Sequence, residues 1–151
     1  MTSGEPASWN LPRLRVAPDG AWYHEDEEVT HEGILASLRD ALEQDGSGFF
    51  IRVGPVRVPV EVEDAPVVVV RFEASAGGFA VVLNDGSRET LRPETLRLGP
   101  GEVPYCRVKD GRFEARFSRA AAYQLLRHVE PDETAGRCWL SAGGRRYVLG
   151  P

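Results

Sequence analysis

The sequence has little cysteine, methionine or lysine, and its apolar runs are short. Its two cysteines, Cys106 and Cys138, predict reduced and largely buried thiols, because disulfides are rare in cytoplasmic chains. Apolar runs such as residues 67–70 are far shorter than the ~20 residues that a membrane-spanning helix needs. The first residues show no basic stretch followed by an apolar core, which argues against a signal peptide. We therefore expect a cytoplasmic protein with no membrane partner.

Motifs for the common cofactors and nucleophiles are also missing. The sole lysine, Lys109, precedes Asp110 and follows no glycine run, which excludes a phosphate-binding P-loop. The segment 46–48 has two glycines where a dinucleotide fingerprint needs three, and it follows a predicted helix where the fingerprint follows a strand. This excludes a dinucleotide fingerprint. No serine lies in a Gly-x-Ser-x-Gly turn, and the cysteines and histidines have no zinc spacing. The sequence thus predicts no cofactor, no metal and no catalytic residue.

The charge is unevenly distributed along the chain. The net charge of −5 argues against a nucleic-acid partner, since a basic surface normally supplies that affinity. Residues 1–75 carry 6 arginines against 14 acidic residues, a balance of −8. Residues 76–151 carry 12 basic residues against 9 acidic ones, a balance of +3. Two interpretations stay open: the two halves dock on one another, which we favour, or the second half offers an anion site.

Alternation and turn residues predict a chain rich in strands. Asp19-Gly20 lies between two short apolar segments, which is a strong hairpin signal because glycine tolerates a positive φ. Valines at 58, 60 and 62 alternate with polar or proline positions and predict a strand with one buried face. Residues 67–72 are apolar on both faces apart from Arg71, and they predict a central strand.

Two helices are predicted from capping residues and apolar spacing. The first begins at Thr30 and is stopped by Asp45-Gly46-Ser47-Gly48, and the second begins at Ser118 and is followed by Gly136. The predicted buried side of the first comprises Ile34, Leu35, Leu38, Ala41 and Leu42. The predicted buried side of the second comprises Ala121, Ala122, Leu125, Leu126 and Val129.

The two ends of the chain resemble each other. An Asp-Gly turn, a strand, a capped helix and a glycine follow one another twice. The separation from cap to glycine is 18 residues in both, from Thr30 to Gly48 and from Ser118 to Gly136. We expect an α+β fold of two related repeats, each a β-hairpin, one helix and further antiparallel strands, packed as one compact unit. The expected organisation is a loose N-terminal arm at 1–12, one repeat at 13–73, and a second at 74–151 with an extra hairpin at 79–91.

Several segments resemble the bacterial domain of unknown function 1285 family. They are DGAW at 19–22, VEVEDAP at 60–66, LND at 83–85, the run PYCRVKDGRFEARFSRAAAYQLL at 104–126, and the tryptophan and glycines at 139–150. The resemblance covers nearly all of the chain, and it implies an α+β fold of two repeats. It also implies a family with no established enzyme activity, for which ligand sensing or signal transduction is suggested. The chain departs from the family at 53–59, just before the EDAP segment. The family usually has a polar stretch with a lysine there, and in this chain Arg57 is the cation at that place.

The acidic corner at 61–64 is the first candidate site. Its carboxylates are expected to face the basic half, and the predicted ligand-binding residues are Glu61, Glu63, Asp64, Asn84, Tyr105, Arg107 and Arg116. The competing interpretation is that these acids only hydrogen-bond their own turn. A second candidate is the acidic stretch at 24–28 with His31 and Glu32, whose oxygen and imidazole groups suit a divalent cation. For that stretch we favour a solvated turn that leads into a helix.

Three functions follow from these observations. The leading hypothesis is a non-enzymatic module with a regulatory role, which binds an unknown small molecule or a protein between its repeats. The first alternative is an enzyme that uses Glu63 and Asp64 as an acid–base pair. The second alternative is a structural protein that forms a homodimer.

Overall fold

The computed structural model describes residues 11–132 and 137–149, which form fifteen strands and two α-helices. Contacts divide the chain into two compact units, residues 1–64 and residues 65–151. The boundary falls earlier than the predicted one at 73/74, because the strand at 67–75 pairs only with strands of the second unit. Residues 1–10 of the predicted N-terminal arm lie outside the described residues.

The first unit is a six-stranded sheet with one helix, and its strands lie in the order β3-β2-β1-β6-β5-β4. Its elements are β1 (Leu14–Val16), β2 (Trp22–His24), β3 (Glu27–Glu28), α1 (Glu32–Ala41), β4 (Glu43–Asp45), β5 (Gly48–Val53) and β6 (Val56–Val62). The central pair, β1 and β6, is parallel, and the other neighbouring strands are antiparallel.

The second unit contains another six-stranded sheet, in the order β10-β11-β12-β7-β8-β9, and a three-stranded sheet, β13-β14-β15. The six-stranded sheet contains β7 (Val67–Ser75), β8 (Gly78–Leu83), β9 (Arg88–Thr90), β10 (Arg97–Leu98), β11 (Pro104–Val108) and β12 (Phe113–Phe117). The remaining elements are α2 (Arg119–Leu126), β13 (Val129–Asp132), β14 (Arg137–Ala142) and β15 (Arg145–Leu149). Here β7 and β12 form the parallel pair at the centre.

The strand order is the same in both six-stranded sheets when β1–β6 are matched in sequence to β7–β12. The predicted α+β fold with two related repeats is thus confirmed. The matching of residues predicted from the Asp-Gly turns is wrong, however. Asp19-Gly20 joins the first two strands of its sheet, whereas Asp110-Gly111 joins the last two. The helices also differ in place, because α1 follows the third strand and α2 follows the sixth.

The alternation of side chains builds the core as the sequence predicts. In β6 the valines at 58 and 60 are buried and the intervening Pro59 is exposed. The predicted central strand β7 lies between β12 and β8, and Val67, Val68 and Val69 are all buried. A register shift after Val69 marks a β-bulge.

Helix α2 is held firmly against its sheet. Ser118 caps it as predicted, since its hydroxyl accepts a hydrogen bond of 3.1 Å from the Ala121 amide. Ala121 and Leu125 are buried, and helix and sheet are joined by a hydrogen bond of 2.8 Å from the Phe72 amide to Gln124 Oε1. The prediction that Leu126 is buried is wrong, because its side chain is 60% exposed beyond the stripe that meets the sheet.

The Ser118 cap is expected to contribute to the stability of the second unit. Ser118→Ala removes the acceptor for the Ala121 amide, and we expect the free energy of unfolding in urea to fall by about 1 kcal/mol. Ser118→Asp keeps an acceptor at the same position, and it should unfold within a few tenths of a kcal/mol of the unmodified protein. An unchanged midpoint for Ser118→Ala would show that the cap does not stabilise the helix.

Candidate ligand-binding cleft

Helix α1 does not bury its apolar side, which contradicts the sequence prediction. No residue of the helix is buried, and Ile34 is 53% exposed. Leu35, Leu38 and Ala41 are only half-buried. Leu42 is buried, but it lies just beyond the last residue of the helix. Burial is therefore complete only at Leu42, just past the helix, and the apolar side of the helix is partly covered and borders an open space.

That space is a cleft of about 510 Å³ between α1 and the sheet of the first unit. Its lining is mainly apolar and comprises Pro12, Leu14, His24, Glu27, Glu28, Val29, Thr30, His31, Ile34, Leu38, Ile51 and Val53. A volume of this size lies within the usual range of small-molecule pockets, roughly 300–1,000 Å³. We refer to it below as the α1 cleft.

The apolar and polar parts of the α1 cleft lie on different elements. Leu14 of β1 and Ile51 and Val53 of β5 contribute apolar surface from the sheet, and Ile34 and Leu38 contribute it from the helix. The polar side chains come from β2, from β3 and from the segment that precedes α1. Since β3 is the edge strand and β5 lies beyond β1 and β6, the lining changes from acidic to apolar across the sheet.

The acidic end of the α1 cleft carries two unpaired carboxylates. Across the described ranges, the side chains of Glu27 and Glu28 form no ion pair or hydrogen bond. Neighbouring acids differ in this respect, because Glu25 accepts a hydrogen bond of 3.0 Å from the Arg13 amide and Glu63 pairs with Arg15. None of the described residues that line the cleft is an arginine or lysine.

His31, another lining residue, also begins the helix. Its Nδ1 accepts a hydrogen bond of 3.2 Å from the Ile34 amide, so His31 is the N-cap and not Thr30 as predicted. Within residues 11–132 and 137–149, no group of three or more histidine, cysteine, aspartate or glutamate side chains is placed to hold a metal ion. This includes the acidic stretch at 24–28 with His31 and Glu32, the alternative that the sequence raised.

The predicted acidic corner is a surface ion pair beside a small depression. Arg15 Nη1 donates to Glu63 Oε2 at 2.5 Å, and the guanidinium lies 4.2 Å from the centre of the Tyr23 ring. The depression has a volume of about 30 Å³ and is lined by Arg13, Leu14, Arg15, Tyr23, Asp26 and Glu61. That volume admits about one water molecule. Asp64, the remaining acid of the corner, is exposed.

Arg57, which replaces the lysine expected from the family resemblance, is already bound. Its two terminal nitrogens donate to Asp45 at 2.7 and 3.0 Å, and its guanidinium lies 3.6 Å from the centre of the Phe50 ring. The hydrogen bonds from Arg57, with one from the Ser47 amide, lower the pKa of Asp45 to about 2. Arg57 is thus a bidentate partner of Asp45 and stabilises the β4–β5 turn.

Three predicted ligand residues share one face of the six-stranded sheet in the second unit. Tyr105 on β11 lies opposite Arg116 on β12, and Arg107 follows Tyr105 on the same face, opposite Glu114. Arg97 adds a further cation, which donates to Glu114 at 2.6 Å and lies 4.4 Å from the centre of the Tyr105 ring. Tyr105 is buried, as a core residue would be. The structure therefore brings Tyr105, Arg107 and Arg116 together on an arginine-rich face.

Asn84, another predicted ligand residue, is bound to the backbone of β7. Its side-chain Oδ1 accepts a hydrogen bond of 3.1 Å from the Val68 backbone amide, and the Asn84 backbone amide donates to the Val68 carbonyl at 2.9 Å. Both polar groups of Val68 are thereby satisfied by one residue of the β8–β9 turn. Asn84 extends the ladder between β7 and β8 past the end of the strand.

The sole lysine links the β8–β9 hairpin to the β11–β12 turn. Lys109 Nζ donates to Asp85 at 2.6 Å and to the Ser87 hydroxyl at 3.2 Å, and the Lys109 amide donates to Glu89. Lys109 and Asp110 have positive φ values of 56° and 59°, which is uncommon for residues other than glycine. Burial raises the pKa of Asp85, but the hydrogen bonds from Lys109 and Ser87 outweigh it and bring the pKa to about 2.

Both cysteines are free, as the sequence predicts. Burial, together with the charges of Glu89 and Glu114, raises the pKa of Cys106 to about 12. A thiol with so high a pKa is a poor nucleophile at neutral pH, because only the thiolate reacts. Cys138 is partly exposed on β14.

The sequence indicates only the acidic part of the α1 cleft, as a candidate cation site at 24–28 with His31, and it does not predict the whole cleft. Its residues come from β1, β2, β3, β5 and α1, so no local spacing relates them. One signal was present, since an acidic stretch at 25–28 precedes a helix with Ile34 and Leu38 on one side. That juxtaposition of carboxylates and apolar groups is what the cleft displays.

Two crystal structures of DUF1285 family proteins have a similar fold. One, from Silicibacter pomeroyi DSS-3, is 25% identical over 99% of this chain and 89% of that chain, with a TM-score of 0.76. The other, from Shewanella baltica OS155, is 21% identical over 78% of this chain and 92% of that chain, with a TM-score of 0.63. No protein-family model and no curated protein matches the chain. Among the described residues, no helix is long and apolar enough to cross a membrane.

These likenesses support the assignment of the chain to the DUF1285 family. The first covers nearly the whole chain, as the resemblance in sequence does. The likeness in fold agrees with the family that the sequence motifs indicate.

Asn84 is expected to be a structural residue. Asn84→Ala leaves the partly buried Val68 amide without an acceptor, and we expect the free energy of unfolding to fall by about 1–3 kcal/mol. Asn84→Asp keeps the acceptor oxygen and should lose less. Urea denaturation of both variants checks this, and equal stability of Asn84→Ala and the unmodified protein would contradict it.

The Asp85–Lys109 pair should make stability depend on pH. The pKa of Asp85 is lower in the folded protein than in the unfolded chain, so its contribution is present above pH ~4 and lost as the pH falls through ~2. Because the pair is partly exposed, we expect Asp85→Asn to lower the free energy of unfolding by about 1 kcal/mol at pH 7. The difference between the two proteins should vanish between pH 4 and pH 2 in urea titrations. A difference that stays constant with pH would rule out the charge as its cause.

Proposed function

We propose that this member of the DUF1285 family is a non-enzymatic cytoplasmic module with a regulatory role, and that it binds a small molecule in the α1 cleft. The observation that carries the proposal is the apolar side of α1, which lines an open cleft of about 510 Å³ and not the core. Exposed apolar surface costs free energy in water, roughly 25 cal/mol per Å². A ligand that covers Ile34 and Leu38 recovers part of that cost.

The comparison between the two helices supports a specialised role for α1. Helix α2 buries Ala121 and Leu125 against its sheet, whereas α1 buries none of its residues. Both helices are capped and both are amphipathic, so capping and amphipathicity alone do not account for the difference. A helix that is attached at Leu42 and open along its apolar side suits the entry and release of a ligand.

An enzymatic function based on Glu63 and Asp64 is less well supported. Glu63 is paired with Arg15, and the depression beside that pair holds about 30 Å³, which is too small for an organic substrate. The α1 cleft contains carboxylates and histidines, but its polar side chains are not bound to one another as a nucleophile and its base would be. Binding requires only the shape and polarity that the cleft has.

The proposal is tested with octanol as a neutral apolar probe and isothermal titration calorimetry. We expect saturable binding with a negative heat-capacity change, because apolar surface is buried. Leu38→Trp places a larger side chain in the α1 cleft, and it should weaken octanol binding by at least about tenfold without lowering the unfolding midpoint.

Leu126→Trp is the matched control. Leu126 is an exposed helical leucine of α2 that does not line the α1 cleft, so this variant should bind octanol as the unmodified protein does. Failure of the unmodified protein to bind octanol would overturn the proposal. Equal loss of binding in both variants would show that octanol binds elsewhere.

A further inference from the structure

We infer that the ligand of the α1 cleft is a cationic amphiphile, an organic ammonium group attached to an apolar body. This inference rests on the proposed function, and it adds the charge of the ligand. It comes from the separation of the lining, among the residues that the structure describes, into an apolar part and a part whose formal charges are two carboxylates.

The apolar surface of the sheet and of α1 indicates that the ligand has an apolar body. Leu14, Ile51 and Val53 provide apolar surface from β1 and β5, and Ile34 and Leu38 face the same space from α1. Adjacent strands lie about 4.8 Å apart, so the distance across the sheet from β3 to β5 is roughly 19 Å. A ligand that extends along this direction has one end beside β3 and the other among the apolar side chains of β5.

The positive charge is assigned by Glu27 and Glu28. Both line the end of the cleft at β3, and neither carboxylate has a salt-bridge or hydrogen-bond partner among the residues that the structure describes. Some acids of the same unit are paired, such as Asp45 with Arg57, and others, such as Asp40, have no such partner among the described residues but lie outside the cleft. Glu27 and Glu28 are therefore available to a cation from solution.

The wider charge distribution points the same way. In the part of the chain that the structure describes, no arginine or lysine lines the α1 cleft. The residues that lead into the helix, 24–32, contain five acidic residues and no arginine or lysine. Residues 1–64 as a whole carry five arginines against thirteen acidic residues, a balance of −8. A negative field at the mouth attracts cations and repels carboxylate or phosphate ligands.

The test compares octylamine, octanol and octanoate, which share one apolar chain and differ in charge. Each is titrated into the protein at pH 7 below its micellar concentration, by isothermal titration calorimetry. We expect octylamine to bind about fivefold more tightly than octanol, and octanoate more weakly than both, because an exposed charge pair contributes up to about that factor. The preference for the amine should disappear in 1 M salt, where charges are screened within about 3 Å.

Glu27→Gln/Glu28→Gln separates the charge from the cleft. This variant should bind octanol as before and bind octylamine no more tightly than octanol. The control Asp40→Asn/Glu43→Gln removes two negative charges from the same unit outside the lining, and it should keep the preference for the amine. Both variants change exposed residues, so both are expected to fold.

The outcomes distinguish this inference from the proposed function. If no probe binds, the small-molecule function itself fails. If octanol and octylamine bind equally, or octanoate binds best, the cleft binds a ligand but the inference of a cation is overturned. An affinity that falls as the protein concentration rises would mean that a second copy of the chain occupies the cleft, and it would also overturn the inference.

Discussion

Each six-stranded sheet depends on one parallel strand pair, which joins the first of its six strands in sequence to the last. In the first unit this is β1 with β6, and in the second it is β7 with β12. The other neighbouring pairs are antiparallel and local in sequence, so hairpin formation can supply them. The parallel pair has to join strands that are far apart in the chain. It also places the most buried strands at the centre, where Val16 and Val69 are fully enclosed.

The position of the helix within this shared pattern distinguishes the two units. Helix α2 comes after the sixth strand and lies against β7 and β12, where the Gln124 side chain reaches the Phe72 amide. Helix α1 comes after the third strand and connects β3 to β4, the two edge strands of its sheet, and only Leu42, just past the helix, is buried. The same strand order therefore produces a closed core beside one helix and an open cleft beside the other. The cleft is a consequence of where the chain inserts its helix.

Much of the fold could be predicted, because its signals are local. The valines of β6 alternate, the run at 67–72 is apolar on both faces, and Ser118 precedes an apolar helix. The burial of α1 could not be predicted in this way. Helical spacing shows that Ile34 and Leu38 share a side, but it does not show what covers that side. The predicted matching of residues between the repeats is wrong for a related reason. An Asp-Gly turn can join the strands of many different hairpins, so it carries no information on strand order.

Lys109 has a further consequence for the chemistry of the surface. It is the only lysine, so the chain has a single side-chain amine, and that amine is bound between Asp85 and Ser87. Reagents that acylate amines can therefore modify one side-chain position, and at that position acylation competes with an ion pair. Their rate at Lys109 reports how often this amine leaves Asp85 and Ser87. The composition of the chain thus makes a single ion pair open to chemical measurement.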